Sequence, residues 1–92
     1  MNYSFPIDLD WSTEEMVKVV EYLDIVEKSY HQAVSTKELI DKYKAFKTVV
    51  SSKGEEKQIG RKFEKDTGYS LYQTIETAKR TEKMYLKMNN GK

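Results

Sequence analysis

Four serines in this chain are each followed three residues later by Glu or Gln: Ser12/Glu15, Ser35/Glu38, Ser52/Glu55 and Ser70/Gln73. That spacing is a capping box. The N-cap hydroxyl accepts from the N3 backbone N–H while the N3 side chain reaches back to the N-cap N–H, so two donors that a helix start leaves orphaned are satisfied together. Two of the four starts also carry a hydrophobic staple, Trp11 with Met16 and Val34 with Leu39, apolar at both N′ and N4. Starts spaced 23, 17 and 18 residues apart leave room for four helices of ordinary length with short connections. The pattern fixes an architecture and carries no chemistry.

Apolar periodicity fills in the helices. The first runs from Thr13 to about Tyr30 with the stripe Met16, Val19, Val20, Leu23, Val26 and Tyr30, widened by Val17 and Ile25, which places it centrally. The second, Thr36 to about Val49, has Leu39, Tyr43, Phe46 and Val50 with Ile40 alongside. The third, about Lys53 to Asp66, offers only Ile59 and Phe63 and is interrupted by Gly60, either a weak point or a place where another helix comes close. Gly68 stands where a left-handed residue ends a helix, and Tyr69 can supply the apolar contact that accompanies such an ending. The fourth begins at Leu71 and continues through Ile75 and Ala78 toward Tyr85, with Glu82 breaking its stripe. Caps included, the expected helical segments are 12–31, 35–50, 52–67 and 70–88, and 89–92 should fray.

Ahead of them, Tyr3-Ser4-Phe5-Pro6-Ile7-Asp8-Leu9-Asp10-Trp11 is apolar at every odd position, the period of an extended chain with one buried face. Pro6 argues against a central strand, and no other run alternates comparably. The expectation is an arm of residues 1–11 laid across the helices, or alternatively across a second molecule. The fold class is all-α: a single domain over 1–92, a compact irregular four-helix bundle arranged around the first helix, with the arm packed on it.

Composition decides what such a domain is for only by exclusion. Without cysteine there is no disulfide framework, thiolate metal site or redox chemistry. No run approaches the ~18 apolar residues of a membrane span, and the start lacks a signal-peptide layout, so a cytoplasmic protein without membrane contact is expected. The net charge of +1 hides an asymmetry: residues 1–34 hold two Lys and seven acids, net −5, whereas residues 35–92 hold 14 Lys/Arg and eight acids, net +6. Complementary packing of the two halves accounts for this, and an anionic partner for the second half is the alternative.

Catalytic arrangements are scarce. His31 is the only histidine. Asp24, Glu27 and His31 share a helical face and could in principle face a metal, but a di-metal carboxylate bundle needs Glu-x-x-His on two helices, and the chain has none. Gly54-Glu55-Glu56-Lys57-Gln58-Ile59-Gly60-Arg61-Lys62 only faintly resembles a phosphate loop, with five residues between its glycines and two acids where phosphate would sit. Asp8 and Asp10 lie on one side of the arm, where a solvated pair lacks the enclosure that separates carboxylate pKa values. No enzyme, metal or cofactor is expected.

Two surfaces remain. Lys57, Arg61, Lys62 and Lys65, with Tyr69 and Tyr72 beyond, are the basic and aromatic mixture that polyanion binders use, though Glu55, Glu56, Glu64 and Asp66 dilute it and argue against nucleic acid. Met84-Tyr85-Leu86-Lys87-Met88 has four apolar residues in five, more than one helical stripe can hide. Met84, Tyr85, Leu86 and Met88 are therefore the candidate protein interface, for an unidentified partner or for self-association. The alternative is that this tail folds back over the thin face of the third helix.

The arm and first helix start, residues 3–16, resemble the YktA-type family of small uncharacterised proteins of Bacillus-like bacteria. A second matching stretch is Glu55-Glu56-Lys57-Gln58-Ile59, followed by Phe63-Glu64-Lys65 and by Gly68-Tyr69-Ser70 with Tyr72. The resemblance implies a compact helical fold in a bacterial cytoplasm, and it brings no activity or catalytic residues with it. The functional expectation is a non-catalytic protein-interaction module, with polyanion binding as the alternative and a small enzyme as a remote third.

Overall fold

The computed structural model describes residues 10–89. Each capping serine begins a helix where the spacing requires: α1 (Thr13–Ser29), α2 (Thr36–Val49), α3 (Lys53–Thr67) and α4 (Leu71–Arg80). All four serine hydroxyls accept from the N3 amide, at 3.2 Å from Glu15, 3.2 Å from Glu38, 3.4 Å from Glu55 and 3.1 Å from Gln73. At Ser12 the reciprocal bond is also present, the Ser12 N–H donating to Glu15 Oε1 at 2.8 Å. Gly68 closes α3 in the left-handed region at φ 82°, its N–H donating to the Glu64 carbonyl at 2.7 Å. A side chain there would be strained, which is why glycine occupies it.

Two short strands complete the fold. β1 (Val34–Ser35) leads into α2, and β2 (Tyr85–Leu86) follows α4; they pair antiparallel, Val34 opposite Leu86 and Ser35 opposite Tyr85. The fold remains all-α, since this pair is the only sheet among the described residues. One expectation is corrected here. The fourth helix stops at Arg80 rather than reaching residue 88, because Thr81 turns extended (φ −76°, ψ 147°) and its hydroxyl accepts the Lys83 N–H at 3.2 Å.

The core is a single cluster. Val19, Leu23 and Val26 of α1, Leu39 and Phe46 of α2, and Val50 just beyond it are fully shielded from solvent. Tyr22, absent from the expected stripe of α1, is buried as well, its ring 4.7 Å from Phe46, whereas Val17, expected to widen the stripe, is exposed. α3 contributes Ile59 and Phe63, and no close approach of α4 requires the glycine at 60, since a Cβ there would meet Leu71 Cδ1 only at an ordinary contact distance of 4.0 Å. α4 adds Leu71, Thr74, Ile75 and Ala78. The helices are not arrayed evenly about α1: α1 packs chiefly on α2, and α4 touches each of the other three.

A polar knot joins the end of α1 to the turn before α4. Tyr30 stacks on Tyr69 with ring centroids 4.3 Å apart, and its hydroxyl accepts from the buried Thr74 hydroxyl at 3.3 Å and from the Ser70 N–H at 3.4 Å. Trp11 packs against the core, while residues 1–9 of the expected arm lie outside the described residues.

Candidate functional site

The segment 84–88 divides its surplus of apolar residues by bending at Met84 and then running extended through β2. A helix would have to show some of Met84, Tyr85, Leu86 and Met88 to water on every turn; an extended chain sends alternate residues to opposite faces. Leu86 and Met88 are buried in the core, and Met84 and Tyr85 are 79% and 63% exposed. The backbone is held from end to end. The Thr36 N–H donates to the Met84 carbonyl at 2.9 Å, Leu86 pairs with Val34, and the Met88 N–H donates to the Ser29 carbonyl at 2.6 Å. The tail therefore does fold back, but onto the connection between α1 and α2 rather than over α3. Of the four candidate interface residues, two are core and two are surface.

Tyr85 overhangs a groove of about 490 Å³ whose walls include Ile25, Val34, Glu21, Asp24 and Glu38. Two of those acids are paired with lysines: Glu21 with Lys42 at 3.0 Å and Asp24 with Lys28 at 3.5 Å. The Lys42 ammonium is held charged to higher pH by its hydrogen bond to Glu21. Glu21 and Asp24 sit one turn apart on α1, and their partners come from α2 and from α1 itself, so the rim is largely charge-balanced.

The basic candidates divide. Lys57 and Arg61 line an open groove of about 580 Å³ between α3 and α4, together with Lys53 and Lys79. Lys62 points elsewhere and pairs with Asp66 at 3.0 Å, and Lys65 is exposed outside the groove. Glu56, Glu64 and Glu76 share the same walls. Glu56 accepts from Lys47 Nζ at 2.6 Å and from the Tyr43 hydroxyl at 3.4 Å, and Lys79 sits over the Tyr43 ring at 5.1 Å. Partial burial, followed by the negative charge of Glu56, pushes the Tyr43 hydroxyl pKa up. Lys53, Tyr43 and Lys79 were not legible as one site, because three different helices bring them together. Tyr72, 71% exposed, stands on the rim.

The remaining motifs do not assemble. Asp24 is engaged by Lys28, and His31 Nε2 lies 3.1 Å from the Tyr69 hydroxyl with its ring edge against Tyr69. Among the described residues no three His, Cys, Asp or Glu side chains converge as a metal site would need. The Gly54–Lys62 stretch is helix, not loop. Asp8 lies outside the described residues, so the Asp8/Asp10 pair is not described as a pair. Among the described residues no helix is long and apolar enough to cross a membrane.

Residues 2–87 match the model of a family described as "Uncharacterised protein family (UPF0223)". The chain belongs to that family. Similar members include a UPF0223 protein of Streptococcus gordonii, 55% identical over 82 residues that make up 89% of each chain. Another, of Listeria monocytogenes, is 49% identical over 88 residues, 96% of this chain and 98% of its own. A third, of Streptococcus mutans, is 46% identical over 89 residues, 97% of both. These relatives are of the same length class and carry the family designation without an activity, so UPF0223 membership fixes relationship and leaves the biochemical role unassigned.

Proposed function

We propose that this UPF0223 protein is a non-catalytic protein-interaction module of the bacterial cytoplasm, docking through Met84 and Tyr85. On the same reading it is a YktA-type protein of Bacillus-like bacteria, which the resemblance of residues 3–16 supports. One observation carries the functional reading: two large apolar side chains stand in water on a backbone whose neighbours, Leu86 and Met88, are locked into the core. A frayed tail could expose such residues without consequence. A clamped one presents them in a fixed geometry, which lowers the ordering cost of binding. Exposed Met and Tyr also suit an adaptable contact, Met by its flexible polarisable chain and Tyr by its large rigid ring.

The test is the double variant Met84→Ser/Tyr85→Ser, made in the full chain. Both positions are exposed, so the melting temperature should stay within a degree or two of the parent, as surface changes usually cost under about 0.5 kcal/mol. Self-association, or recovery of a partner by affinity capture from the native cytoplasm, should be lost. Undiminished capture and association in a variant of unchanged stability would refute the proposed docking surface.

A further inference from the structure

We infer that the outer edge of β2 is a strand-addition site for an extended, acidic segment of a partner protein. This rests on the interaction-module reading and specifies how the contact is made. In an antiparallel pair, residues alternate between those that exchange hydrogen bonds with the partner strand and those that do not. Met84 and Met88 spend a carbonyl and an amide on Thr36 and Ser29, and Leu86 lies opposite Val34 between them. Tyr85 and Lys87 fall on the alternate positions, so their N–H and C=O groups point away from β1. Among the described residues these backbone groups have no hydrogen-bond partner, and both side chains are exposed, so no described residue covers the edge.

An open edge of this kind is a ready template for another strand. Three features select the occupant. First, the edge is already ordered, since the backbone is fixed at both ends and Leu86 and Met88 are buried, so a guest pays the ordering entropy of one chain rather than two. Second, the exposed Lys83 and Lys87 flank Tyr85 two residues to either side, and neither lysine forms an ion pair among the described residues. A guest running antiparallel would place acids opposite the two lysines and an aliphatic or aromatic residue opposite Tyr85, which reads as acid-x-apolar-x-acid. Third, the same lysines disfavour a second copy of this edge, because two such edges side by side would bring Lys83 and Lys87 of both copies together.

The probe is a fluorescein-labelled peptide containing Glu-Thr-Val-Thr-Glu, titrated into the full chain. Its controls are the same peptide with Lys for both Glu, and the Glu peptide N-methylated at the two backbone amides that would face Tyr85 and Lys87. The Glu peptide should bind and should slow exchange of the Tyr85 and Lys87 amides. N-methylation should weaken it about tenfold, as should Lys83→Glu/Lys87→Glu in the protein, and that variant should prefer the Lys peptide. Binding that survives N-methylation, or that leaves the Tyr85 and Lys87 amides exchanging freely, overturns strand addition while leaving Met84 and Tyr85 as a docking surface. Protection of those two amides that grows with protein concentration alone overturns the acidic partner in favour of a second copy. No binding by any peptide, while Met84→Ser/Tyr85→Ser still abolishes capture, also overturns strand addition and spares the interaction module. No peptide binding together with capture unaffected by that double variant overturns both.

Discussion

The two sides of the core are built differently. Where α1 meets α2, the contact is large apolar groups: Tyr22, Leu23, Val26, Leu39 and Phe46 are at most 1% exposed, and the Tyr22 and Phe46 rings lie 4.7 Å apart. α3 inserts only Ile59 and Phe63, and its other tie to α2 is polar, Glu56 held by Lys47 and the Tyr43 hydroxyl. Apolar burial stabilises in proportion to area, whereas a partly exposed ion pair contributes at most about 1 kcal/mol. The α1–α2 side therefore carries the stability, and α3 is the element free to leave an open groove beside α4.

The largest expected effect tests that difference at its centre. Phe46→Ala should cost about 3–5 kcal/mol in chemical denaturation. If it costs no more than Lys47→Ala, which removes only a polar tie, the two sides are equivalent and the comparison fails.

Alkali probes the same face. Burial, reinforced by Tyr43 and Glu56, raises the Tyr22 hydroxyl pKa well above its ordinary value of 10.0. A group whose folded pKa is raised contributes its full stability below the unfolded value and loses it as pH climbs past that value toward the folded one. Stability should thus hold below about pH 10 and then fall by up to about 1.4 kcal/mol per pH unit. Tyr22→Phe should flatten that fall, which a set of melts across alkaline pH would register. An identical alkaline profile in the variant would show that Tyr22 is not the group responsible.

The smallest effect belongs to α3. Gly60→Ala removes a helix-interior glycine where the new methyl would meet Leu71 Cδ1 at ordinary contact distance, 4.0 Å. It should stabilise the protein by about 0.5–1 kcal/mol. A loss instead would mean that α3 and α4 are packed more tightly than the α1–α2 comparison allows.

What could be read from the chain follows the range of the interactions. The helix starts were legible because a capping box is written in four consecutive residues: all four serines cap, although only Ser12 shows the reciprocal bond of the full box. Ile59 and Phe63 were legible as the whole apolar face of α3. The end of α4 was not, because no glycine or proline marks it and the course of residues 84–88 is secured by Ser29, Val34 and Thr36, some 50 residues earlier. The alternation of buried Leu86 and Met88 was a usable signal, masked by the apolar but exposed Met84 and Tyr85 before them. Tyr22 escaped the α1 stripe because its burial depends on Phe46 arriving from α2. The α3–α4 groove was half visible for a similar reason: Lys57 and Arg61 share one helix, but Lys79 and Tyr43 join them only through packing.

The central claim is that the chain around β2 is clamped at Met84 and Met88, with Leu86 and Met88 belonging to the fold and Tyr85 and Lys87 facing solvent. Amide hydrogen exchange measured by NMR on the free protein reads this residue by residue. The account predicts slow exchange at Thr36 and Met88, which donate to Met84 and Ser29, and fast exchange at Tyr85 and Lys87. Uniformly fast exchange at Thr36, Tyr85, Lys87 and Met88 would contradict it, as would protection of Tyr85 and Lys87 equal to that of their neighbours.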